Sequence, residues 1–461
     1  MSQRYDVVVV GARCAGATLA TYLARQGASV LLVEQGPLFG DCVLSTHALH
    51  PPGMAVVDEL GVGAVVRRVS PAMQSVRIDW HGALLDLTHP EGSSEYCPRR
   101  HRFDSALQQA ALDAGAVVWD RTRVTGLHMA GERVVGVEVQ RHGRQSLRVD
   151  SELVVGADGR HSTVARCTNA SQYFDYDAPR GMYWSYWAAP AGWGRSDEFP
   201  AGMYIQRSGD VIRIAFHTDG DQLLVGVCPP KARLAAFREA PLNALRRSVA
   251  SHPWLGPITS APPCEPVRGY RGERYFFRQG AGPGWLLIGD AGVHKDFLGG
   301  DGMSEALLQA RSAAAAITNT GSTGRDLSLE HWWRQRDVDA LPLYHHARDL
   351  SAIEATPRLD RVLFHHVARD ARLRAGFAAI FRREASPYTL VPPARVLGWV
   401  LKAALTGQPR VLLEFLARGR RTGSVLQSLE RCRQLLHQTR PTQLASGKPS
   451  TPTVPRLPVG R

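Results

Sequence analysis

YDVVVVGARCAG, the stretch Tyr5–Gly16, decides how the chain begins to fold. Its β-branched run Val7–Val10 is typical of a buried parallel strand, and the apolar stretch Ala17–Arg25 that follows is typical of a helix. Gly11 allows a sharp turn between the two, and Gly16 allows the helix to pack close to the strand. The free N–H groups at the start of such a helix can bind a pyrophosphate. The stretch therefore predicts the opening of a dinucleotide-binding domain.

An acidic residue follows at the distance that such a domain requires. The next buried strand, Ala28–Val33, ends at Glu34, about 20 residues after the glycines, where a carboxylate can bind the hydroxyl groups of a ribose. Arg13 departs from the GxGxxG pattern by replacing the middle glycine, so its side chain must point away from the phosphates or lie beside them. We expect the turn, including Arg13 and Ala15, to contact the ligand. An ordinary βα turn without a ligand is the alternative.

A second segment has a similar order. The buried strand Glu152–Val155 leads into Gly156-Ala157-Asp158-Gly159-Arg160. Asp158 is a candidate for binding the same ligand. Asp-Gly is also a common turn, so this segment alone favours a turn without a ligand.

The third segment carries chemistry that suits a flavin. Trp285–Gly289 predicts a buried strand, and Asp290 at its carboxyl end can bind a ribityl or ribose hydroxyl. The glycine-rich loop that follows opens a helix, and its candidate contacts are Gly300, Gly302 and Met303. The N–H groups and positive dipole of this helix start can stabilise negative charge on the N1/O2 edge of a reduced flavin.

Composition limits the class of protein. With 461 residues, 44% hydrophobic and 21% charged, the chain is typical of a globular protein of two or three domains. Seven scattered cysteines without metal-ligand spacing indicate neither a disulfide framework nor a metal site. No secretory leader or membrane span is apparent, so we expect a cytoplasmic protein.

The charge does not indicate a nucleic-acid partner. The net charge is +13, but residues 410–461 hold ten Lys and Arg residues and two acidic residues, so the rest of the chain is nearly neutral. No basic stripe interleaved with aromatic residues appears in that part. The basic C-terminal helices leave peripheral membrane contact open, and the oligomeric state is unknown.

The order of predicted elements gives an α/β fold in several parts. We expect a discontinuous Rossmann-like domain at residues 1–172 and 276–325, interrupted by a mainly antiparallel β-sheet domain for the substrate at 173–275. A three-stranded meander is expected within 122–149, before the strand at Glu152–Val155. Residues 326–438 are predicted to be helical, with breaks at Pro342, Pro357, Pro387 and Pro392-Pro393, and the Pro/Ser/Thr-rich tail 439–461 to be disordered.

In this order and spacing, the three segments resemble the FAD-dependent monooxygenases of the para-hydroxybenzoate hydroxylase type. These class A flavoprotein hydroxylases are related to geranylgeranyl reductases and flavin-dependent halogenases. The likeness covers about Tyr5–Thr320. It implies that FAD is bound by Gly11, Gly16 and Glu34 on the ADP half, by Asp158 and Gly159, which also serve NAD(P)H, and by Gly289 and Asp290 at the ribityl chain.

Two further stretches take part in the resemblance. Arg100–Asp104 is similar to the family's Arg-x-x-Leu-Asp helix start, which implies that Arg100 reaches the pyrophosphate or ribityl chain. Ser45–Leu49 is similar to a loop beside the isoalloxazine ring, which implies flavin contacts from Ser45 and Thr46. His47 in that loop is the candidate catalytic residue, as a proton relay or substrate ligand; a histidine bonded within the loop is an equal alternative.

The resemblance implies a reaction. NAD(P)H reduces FAD, O2 is trapped as a C4a-hydroperoxyflavin, and one oxygen atom hydroxylates or epoxidises an aromatic or polycyclic substrate, as in natural-product biosynthesis. Four aromatic residues of one predicted strand are candidates for substrate contact: Tyr183, Trp184, Tyr186 and Trp187. Because side chains alternate along a strand, only one face, that of Trp184 and Tyr186 or that of Tyr183 and Trp187, can meet the cavity.

Other reactions stay open. A prenyl-chain reductase would use the same FAD core with an apolar tunnel, and the apolar stretches Val396–Leu405 and Val411–Leu416 could then lie on a membrane. A flavoprotein whose basic tail binds an anionic partner is a third possibility. Halogenases use an N-terminal lysine and a Trp-x-Trp-x-Ile-Pro segment, and here no lysine precedes Lys231, so halogenation is disfavoured.

Overall fold

The computed structural model describes residues 3–40, 48–141, 145–319, 324–353 and 356–439. Its strands, in chain order, are β1 Gln3–Val10, β2 Val30–Val33, β3 Ser75–Trp80, β4 Ala83–Thr88, β5 Val117–Trp119, β6 Thr122–Ala130, β7 Arg133–Arg141, β8 Leu147–Gly156, β9 Gln172–Asp177, β10 Met182–Ala188, β11 Met203–Ser208, β12 Val211–Thr218, β13 Gln222–Cys228, β14 Arg268–Tyr270, β15 Arg274–Arg278, β16 Ala281–Gly282, β17 Trp285–Leu287 and β18 Val293–His294.

The α-helices are α1 Cys14–Arg25, α2 Pro51–Glu59, α3 Gly63–Val69, α4 Arg100–Asp113, α5 Thr163–Cys167, α6 Leu234–Glu239, α7 Pro241–Val249, α8 Leu255–Ser260, α9 Gly302–Thr318, α10 Arg325–Ser351, α11 Pro357–Arg369, α12 Ala371–Phe381, α13 Pro393–Leu405 and α14 Val411–Gln438. Short 3-10 turns lie at Lys231–Arg233, Gly289–Ala291 and Phe297–Gly299. In the part of the chain that the structure describes, no helix combines the length and apolar character needed to cross a membrane.

The first sheet has a parallel core around the predicted opening strand. Its order is β16-β17-β8-β1-β2-β5, and a hairpin of β6 and β7 continues from β8. Val7–Val10 of β1 are buried and pair with β2 on one side and β8 on the other. A continuous apolar run suits a strand that is covered on both faces. The α/β class predicted from the sequence is confirmed.

The three sequence motifs meet at one edge of this sheet. The last pairs of the ladders join Val10 to Val33 and Gly156, and Gly156 to Leu287. Because these strands are parallel, the loops that follow them leave from the same edge. Ligands of such sheets bind outside the carboxyl ends of the strands.

The second sheet is mainly antiparallel, with the order β14-β10-β13-β12-β11-β3-β4. Strands β10 to β14 come from the predicted substrate region, but β3 and β4 come from upstream, and β3 pairs with β11 in parallel. Helices α6, α7 and α8 lie between β13 and β14 in sequence and were not foreseen. A third, small sheet has the order β18-β15-β9.

Two local predictions differ from the structure. The third strand of the meander and the strand Glu152–Val155 form one continuous strand, β8, in which Val149, Ser151 and Leu153 are all buried. No glycine or proline interrupts it, so nothing ends the strand. Pro342 lies inside α10 and does not break it. Proline has no backbone N–H, so one helical hydrogen bond is missing, and packing against α9 and α14 compensates for its loss.

The C-terminal helices cover the second sheet. Pro357 and Pro393 stand at the first positions of α11 and α13, where proline is well tolerated. Leu373 and Ala378 of α12 and Val367 of α11 share an apolar cluster with strands β3, β4, β10, β11 and β12. Of the tail expected to be disordered, residues 440–461 lie outside the described residues.

Candidate functional site

The glycines of the first turn are required by close backbone contacts. A Cβ atom on Gly11, whose φ is +99°, would lie 2.5 Å from the carbonyl oxygen of Ala157. A Cβ atom on Gly16 would lie 1.8 Å from the carbonyl oxygen of Gly11. Any larger residue would push α1 away from β1 and β8. Gly16 therefore has the packing role that the sequence indicates.

Glu34 lies against the start of the first helix. Its Oε2 accepts a hydrogen bond from the backbone N–H of Ala12 at 2.8 Å, and its Oε1 accepts one from Gly36 at 2.9 Å. Each carboxylate oxygen keeps a further lone pair for a ribose hydroxyl. Arg13, by contrast, is exposed and has no ion pair or hydrogen bond from its side chain among the described residues. Its guanidinium does not fill the turn.

Arg100 stands at the start of the fourth helix and pairs with Asp104, which connects this helix to the start of the first. Its Nε and Nη2 donate to Asp104 at 3.1 and 2.8 Å, and Asp104 also accepts from the thiol of Cys14 at 3.2 Å. The charge of Arg100 also lowers the pKa of Asp290. The structure thus places Arg100 near the first and third motifs.

Asp158 has a structural role in addition to its position in the cleft. Its Oδ2 accepts from the backbone N–H of Thr163 at 2.7 Å at the start of α5. Burial raises the pKa of this carboxyl. Its Oδ1 is buried and has no hydrogen-bond partner among the described residues. One oxygen is therefore committed to the helix, and the other is available for a donor.

Asp290 is an accessible carboxylate in a recess. Its side chain is 48% exposed, and its Oδ2 lies 3.3 Å from Nδ1 of His294. The protein atoms around the recess displace part of the water near this carboxyl, which alone would raise its pKa, but His294, Arg160 and Arg100 hold the pKa of Asp290 below its ordinary value. An ionised carboxylate in this position suits the hydroxyls of a ribityl chain. The adjacent Gly289 has φ +58°, and a Cβ there would come within 3.1 Å of Ala15.

The helix α9 begins beside this recess with an open N-terminus. A Cβ atom on Gly302 would meet no heavy atom within 4 Å. Asp301 precedes the helix but makes no capping hydrogen bond to it. Free N–H groups and the helix dipole therefore face open space. Met303 is buried beneath this end, so only its backbone can take part.

A buried ion network sets the conformation of the loop before α9. Lys295 Nζ lies 2.7 Å from Asp301 and 3.1 Å from Glu305. Burial alone would lower the pKa of Lys295, but Asp301 and Glu305 raise it above its ordinary value. Lys295 in turn holds the pKa of Asp301 well below its usual range, against the effect of burial. The network explains why Asp301 does not cap the helix.

The predicted catalytic residue His47 lies outside the described residues, as do Ser45 and Thr46. A different histidine, His50, stands in the described part of the same loop and is buried. Its Nδ1 lies 2.9 Å from Glu95 Oε1, and its Nε2 lies 3.2 Å from the carbonyl oxygen of Gly300. A carbonyl oxygen only accepts, so Nε2 carries the hydrogen in this contact. His50 thereby joins this loop to the start of α9.

An apolar cavity lies between the second sheet, the C-terminal helices and the loop before α9. Its volume is about 110 Å³. The sheet wall consists of Ile78, Trp80, Met203, Ile205, Ile212, Ile214 and Phe216, and the helical wall of Leu350, Phe364, Phe377, Ile380 and Phe381. The loop contributes Phe297, Leu298, Gly299 and Gly300, and the polar side chains are His50, His346 and Arg383. The lining of the cavity, apolar with a few polar groups at one end, is typical of a site for a small organic molecule, and its volume lies below the roughly 300–1,000 Å³ that such sites usually enclose.

Strand β10, which carries the four aromatic candidates for substrate contact, contributes no residue to the lining of the cavity. Trp184 and Tyr186 belong to the apolar cluster on the face that carries the cavity, although neither lines it. Tyr183 and Trp187 point to the opposite face, where Tyr183 stacks on Phe237 at a ring distance of 4.8 Å. Helices α6, α7 and α8 cover that face. The cavity wall comes instead from β3, β11 and β12.

The comparisons with known proteins agree with this geometry. The model of the FAD binding domain family matches residues 4–182. The resemblance to the superfamily of class A flavin monooxygenases, geranylgeranyl reductases and flavin-dependent halogenases is confirmed. The chain is a flavoprotein.

The flavoprotein is similar to proteins with different reactions. It shares 28% identity with the 6-methylpretetramide 4-monooxygenase of Streptomyces rimosus over 340 residues, 70% of this chain and 77% of that protein. It shares 26% identity with the digeranylgeranylglycerophospholipid reductase of Methanosarcina mazei over 358 residues, 74% of this chain and 83% of that protein. The chain spans about two fifths of the length of the first curated relatives it matches.

Solved structures show the same fold. The myxobacterial chondrochloren halogenase CndH superposes with a TM-score of 0.67 at 19% identity, over 95% of this chain and 97% of that chain. At this identity the likeness concerns the fold alone. The chondrochloren halogenase and this flavoprotein therefore share one fold.

The cleft of the flavoprotein fits FAD. Glu34 at the first turn and Asp290 at the third strand supply hydroxyl acceptors at two places along one edge. The orphaned Oδ1 of Asp158 offers a further acceptor, and the open start of α9 offers donors. Glu34 would hold the ADP half, Asp290 the ribityl chain and the start of α9 the flavin edge, in the order that the motifs predict.

Sequence reasoning missed His50, His346 and Arg383. His50 is only three residues from the predicted His47, so its loop was identified. His346 in α10 and Arg383 after α12 belong to a region where no sequence motif was found. The separation of Arg383 from Gly299 along the chain left no local signal for their contact.

Proposed function

We propose that the flavoprotein is a monooxygenase that uses NAD(P)H and O2 to hydroxylate or epoxidise an aromatic or polycyclic small molecule of the natural-product type. The observation that carries this proposal is the apolar cavity, which ends at Gly299 and Gly300, directly before the open start of α9. Similarity to a monooxygenase over 70% of the chain supports it.

The chain's own residues would exclude water and place the substrate. Phe297, Leu298 and Phe381 form apolar walls close to the loop, and an apolar wall keeps the reacting groups out of bulk water. FAD, when bound, supplies electron transfer from NAD(P)H and activation of O2. Free N–H groups at the start of α9 would stabilise negative charge on the reduced cofactor. His50, held between Glu95 and Gly300, is placed to hold a proton at Nε2 beside the cavity.

A direct test uses the purified protein loaded with FAD. Flavin absorption should be retained through gel filtration, and a colourless protein after FAD treatment would contradict the cofactor assignment. NADPH or NADH consumption should accelerate in the presence of an aromatic candidate such as 2-naphthol, with uptake of O2. Consumption that no aromatic compound stimulates, with O2 reduced only to hydrogen peroxide, would oppose the proposal for that substrate class.

A second candidate is a reductase of a prenyl or other apolar substrate, which a specific surface favours. Leu397, Leu401 and Leu405 are 40%, 46% and 88% exposed and recur every four residues along α13. Leu413 and Leu416 of α14 are also exposed. An apolar row flanked by exposed Lys402 and Arg410 would suit contact with an anionic membrane, where prenyl substrates lie.

The second candidate has its own test. Vesicles of phosphatidylglycerol should carry the FAD-loaded protein in flotation, whereas vesicles of phosphatidylcholine should not. Leu401→Ser combined with Leu405→Ser should abolish flotation, and Leu84→Ser, an exposed leucine on β4, serves as the matched control. A product heavier by two hydrogens and formed without O2 would establish reduction; absence of flotation with an oxygenated product would eliminate this candidate.

A further inference from the structure

The polar end of the cavity contains two side chains that the proposed reaction does not use. We propose that Arg383 and His346 bind a hydroxyl or carbonyl oxygen of the substrate and so fix which end of an apolar ring system lies at Gly299. This inference rests on the proposed function, because it names the class of molecule that the same cavity takes. It predicts a substrate with one oxygen group at its edge rather than a plain hydrocarbon.

Arg383 is buried with an unused donor. Its side chain is 8% exposed, and its Nη2 donates to the carbonyl oxygen of Gly299. Its Nε lies 3.9 Å from Asp301 and has no hydrogen-bond acceptor among the described residues. A buried N–H without an acceptor is unfavourable, and native proteins satisfy nearly all such groups. A ligand oxygen in the cavity would supply the missing acceptor.

His346 lines the same cavity in its neutral form. Burial lowers the pKa of His346 to about 3, and the charges of Arg383 and Arg418 contribute to the shift. A neutral imidazole offers one donor and one acceptor. Together, Arg383 and His346 can therefore satisfy a hydroxyl group, which both donates and accepts, or a carbonyl oxygen, which accepts twice.

The local charge favours a neutral oxygen over an anion. Lys295 and Arg383 contribute two positive charges, and Asp301 and Glu305 contribute two negative charges within the same network. The network is balanced, so no surplus positive charge requires a carboxylate or phosphate. The remaining walls are apolar, which suits the ring system of a phenol or a polycyclic ketone.

The test measures binding to the FAD-loaded protein without NAD(P)H. Calorimetry compares 2-naphthol with 2-methylnaphthalene, which has a methyl group in place of the hydroxyl. The wild-type protein should bind 2-naphthol about tenfold more tightly or better, because hydrogen bonds to a charged donor are strong. Arg383→Met should remove this preference, and His346→Phe should reduce it, while both variants retain FAD.

Met203→Leu is the matched control, because it changes an apolar wall of the cavity and should alter the affinity for both probes equally. Equal affinities of the wild-type protein for the two probes, or no binding of either, contradict the inference, and this comparison does not depend on the folding of a variant. An unchanged preference in Arg383→Met also contradicts it. Because no turnover is involved, a protein that prefers 2-naphthol but never oxygenates a substrate would refute the proposed function and leave this inference standing.

Discussion

The FAD cleft and the apolar cavity adjoin each other but are built in different ways. The cleft consists of backbone turns at the ends of parallel strands, where Gly11, Gly16 and Gly302 leave room for close packing or for a ligand. The cavity consists of side chains from β3, β11, β12, α10, α11 and α12, which are distant in sequence. The cleft therefore requires particular residues at a few positions. The cavity requires volume and apolar character over many positions and tolerates variation, which is consistent with relatives that share the cofactor domain but differ in reaction.

The largest expected effect is in the backbone of the cleft. Gly16→Ala places a Cβ atom 1.8 Å from the carbonyl oxygen of Gly11, so α1 must move. We expect the free energy of unfolding to fall by about 3 kcal/mol or more, measured by urea denaturation, since overpacking against backbone cannot relax easily. Gly398→Ala in α13, where a Cβ atom meets nothing within 4 Å, is the control and should be neutral or stabilising. Equal stability of the two variants would contradict the close-packing argument.

Asp290→Ala should act on the ligand of the cleft and leave the cavity intact. The lost carboxylate accepts charge-assisted hydrogen bonds, so the dissociation constant of FAD should rise about tenfold to a hundredfold. Fluorescence titration of the protein freed of flavin measures this change. Asp86→Ala is the control: this surface residue of β4 pairs with Arg77 of β3. FAD retention that is unchanged in Asp290→Ala would refute the assignment of the third motif.

A pH effect should distinguish the buried cavity from the surface. The pKa of His346 falls from 6.5 unfolded to about 3 in the folded chain. Below pH 6.5 the unfolded chain binds the additional proton, so His346 costs stability as the pH falls from 6.5 toward 3, by up to about 1.4 kcal/mol per pH unit. His346→Phe should flatten the fall in the free energy of unfolding between pH 6.5 and 5.

Asp296 has the opposite effect on the pH dependence of stability: His346 lowers stability as the pH falls, whereas Asp296 lowers it as the pH rises. Burial raises the pKa of Asp296 from 3.8 to about 6, so its ionisation costs stability as the pH rises through this range. Gln438→Ala, at an exposed position without a titratable group, is the control and should leave the pH profile unchanged. A profile that is equally steep in His346→Phe and in the wild-type protein would show that His346 is not held neutral by burial.

Filling the cavity should separate substrate binding from cofactor binding. Ile205→Trp adds volume to the sheet wall of the cavity, which measures only about 110 Å³. We expect the affinity for 2-naphthol to fall about tenfold, with FAD retention unchanged, because the indole ring would occupy the space in which the apolar rings of the ligand are buried. Calorimetry and flavin absorption on the same sample measure both quantities. Undiminished binding of 2-naphthol would place the substrate elsewhere.

The smallest effect is expected at Arg13, which replaces the middle glycine of the GxGxxG pattern. Arg13 is exposed, and its side chain has no ion pair or hydrogen bond among the described residues. Arg13→Ala should therefore change the dissociation constant of FAD by less than about threefold. Water and salt screen the attraction between an exposed charge and a phosphate, so this attraction contributes little to the binding free energy. A tenfold loss of affinity would mean that the guanidinium binds the pyrophosphate directly.

The sequence predicts the cleft well because its determinants are local. Gly11, Gly16 and Glu34 lie within one βαβ unit, so spacing alone places them together. Asp290 follows a buried strand of the same sheet, and parallel strands bring their carboxyl ends to one edge.

The cavity was less predictable because its contacts depend on tertiary packing. Tyr183 and Trp187 alternate correctly along β10, but α6, α7 and α8 cover their face, and these helices carry no motif. Arg383 reaches Gly299 only because α12 packs over the second sheet. Pro342, which a local rule places at a helix end, is held inside α10 by its neighbours.

We propose that the cavity presents an apolar substrate to oxygen chemistry at the cleft. The most direct test is turnover of the FAD-loaded protein with NADPH, a polycyclic phenol and oxygen-18 labelled O2, followed by mass spectrometry of the product. We expect a product that contains one labelled oxygen atom. A product that gains two hydrogens, forms without O2 and carries no label would rule out a monooxygenase.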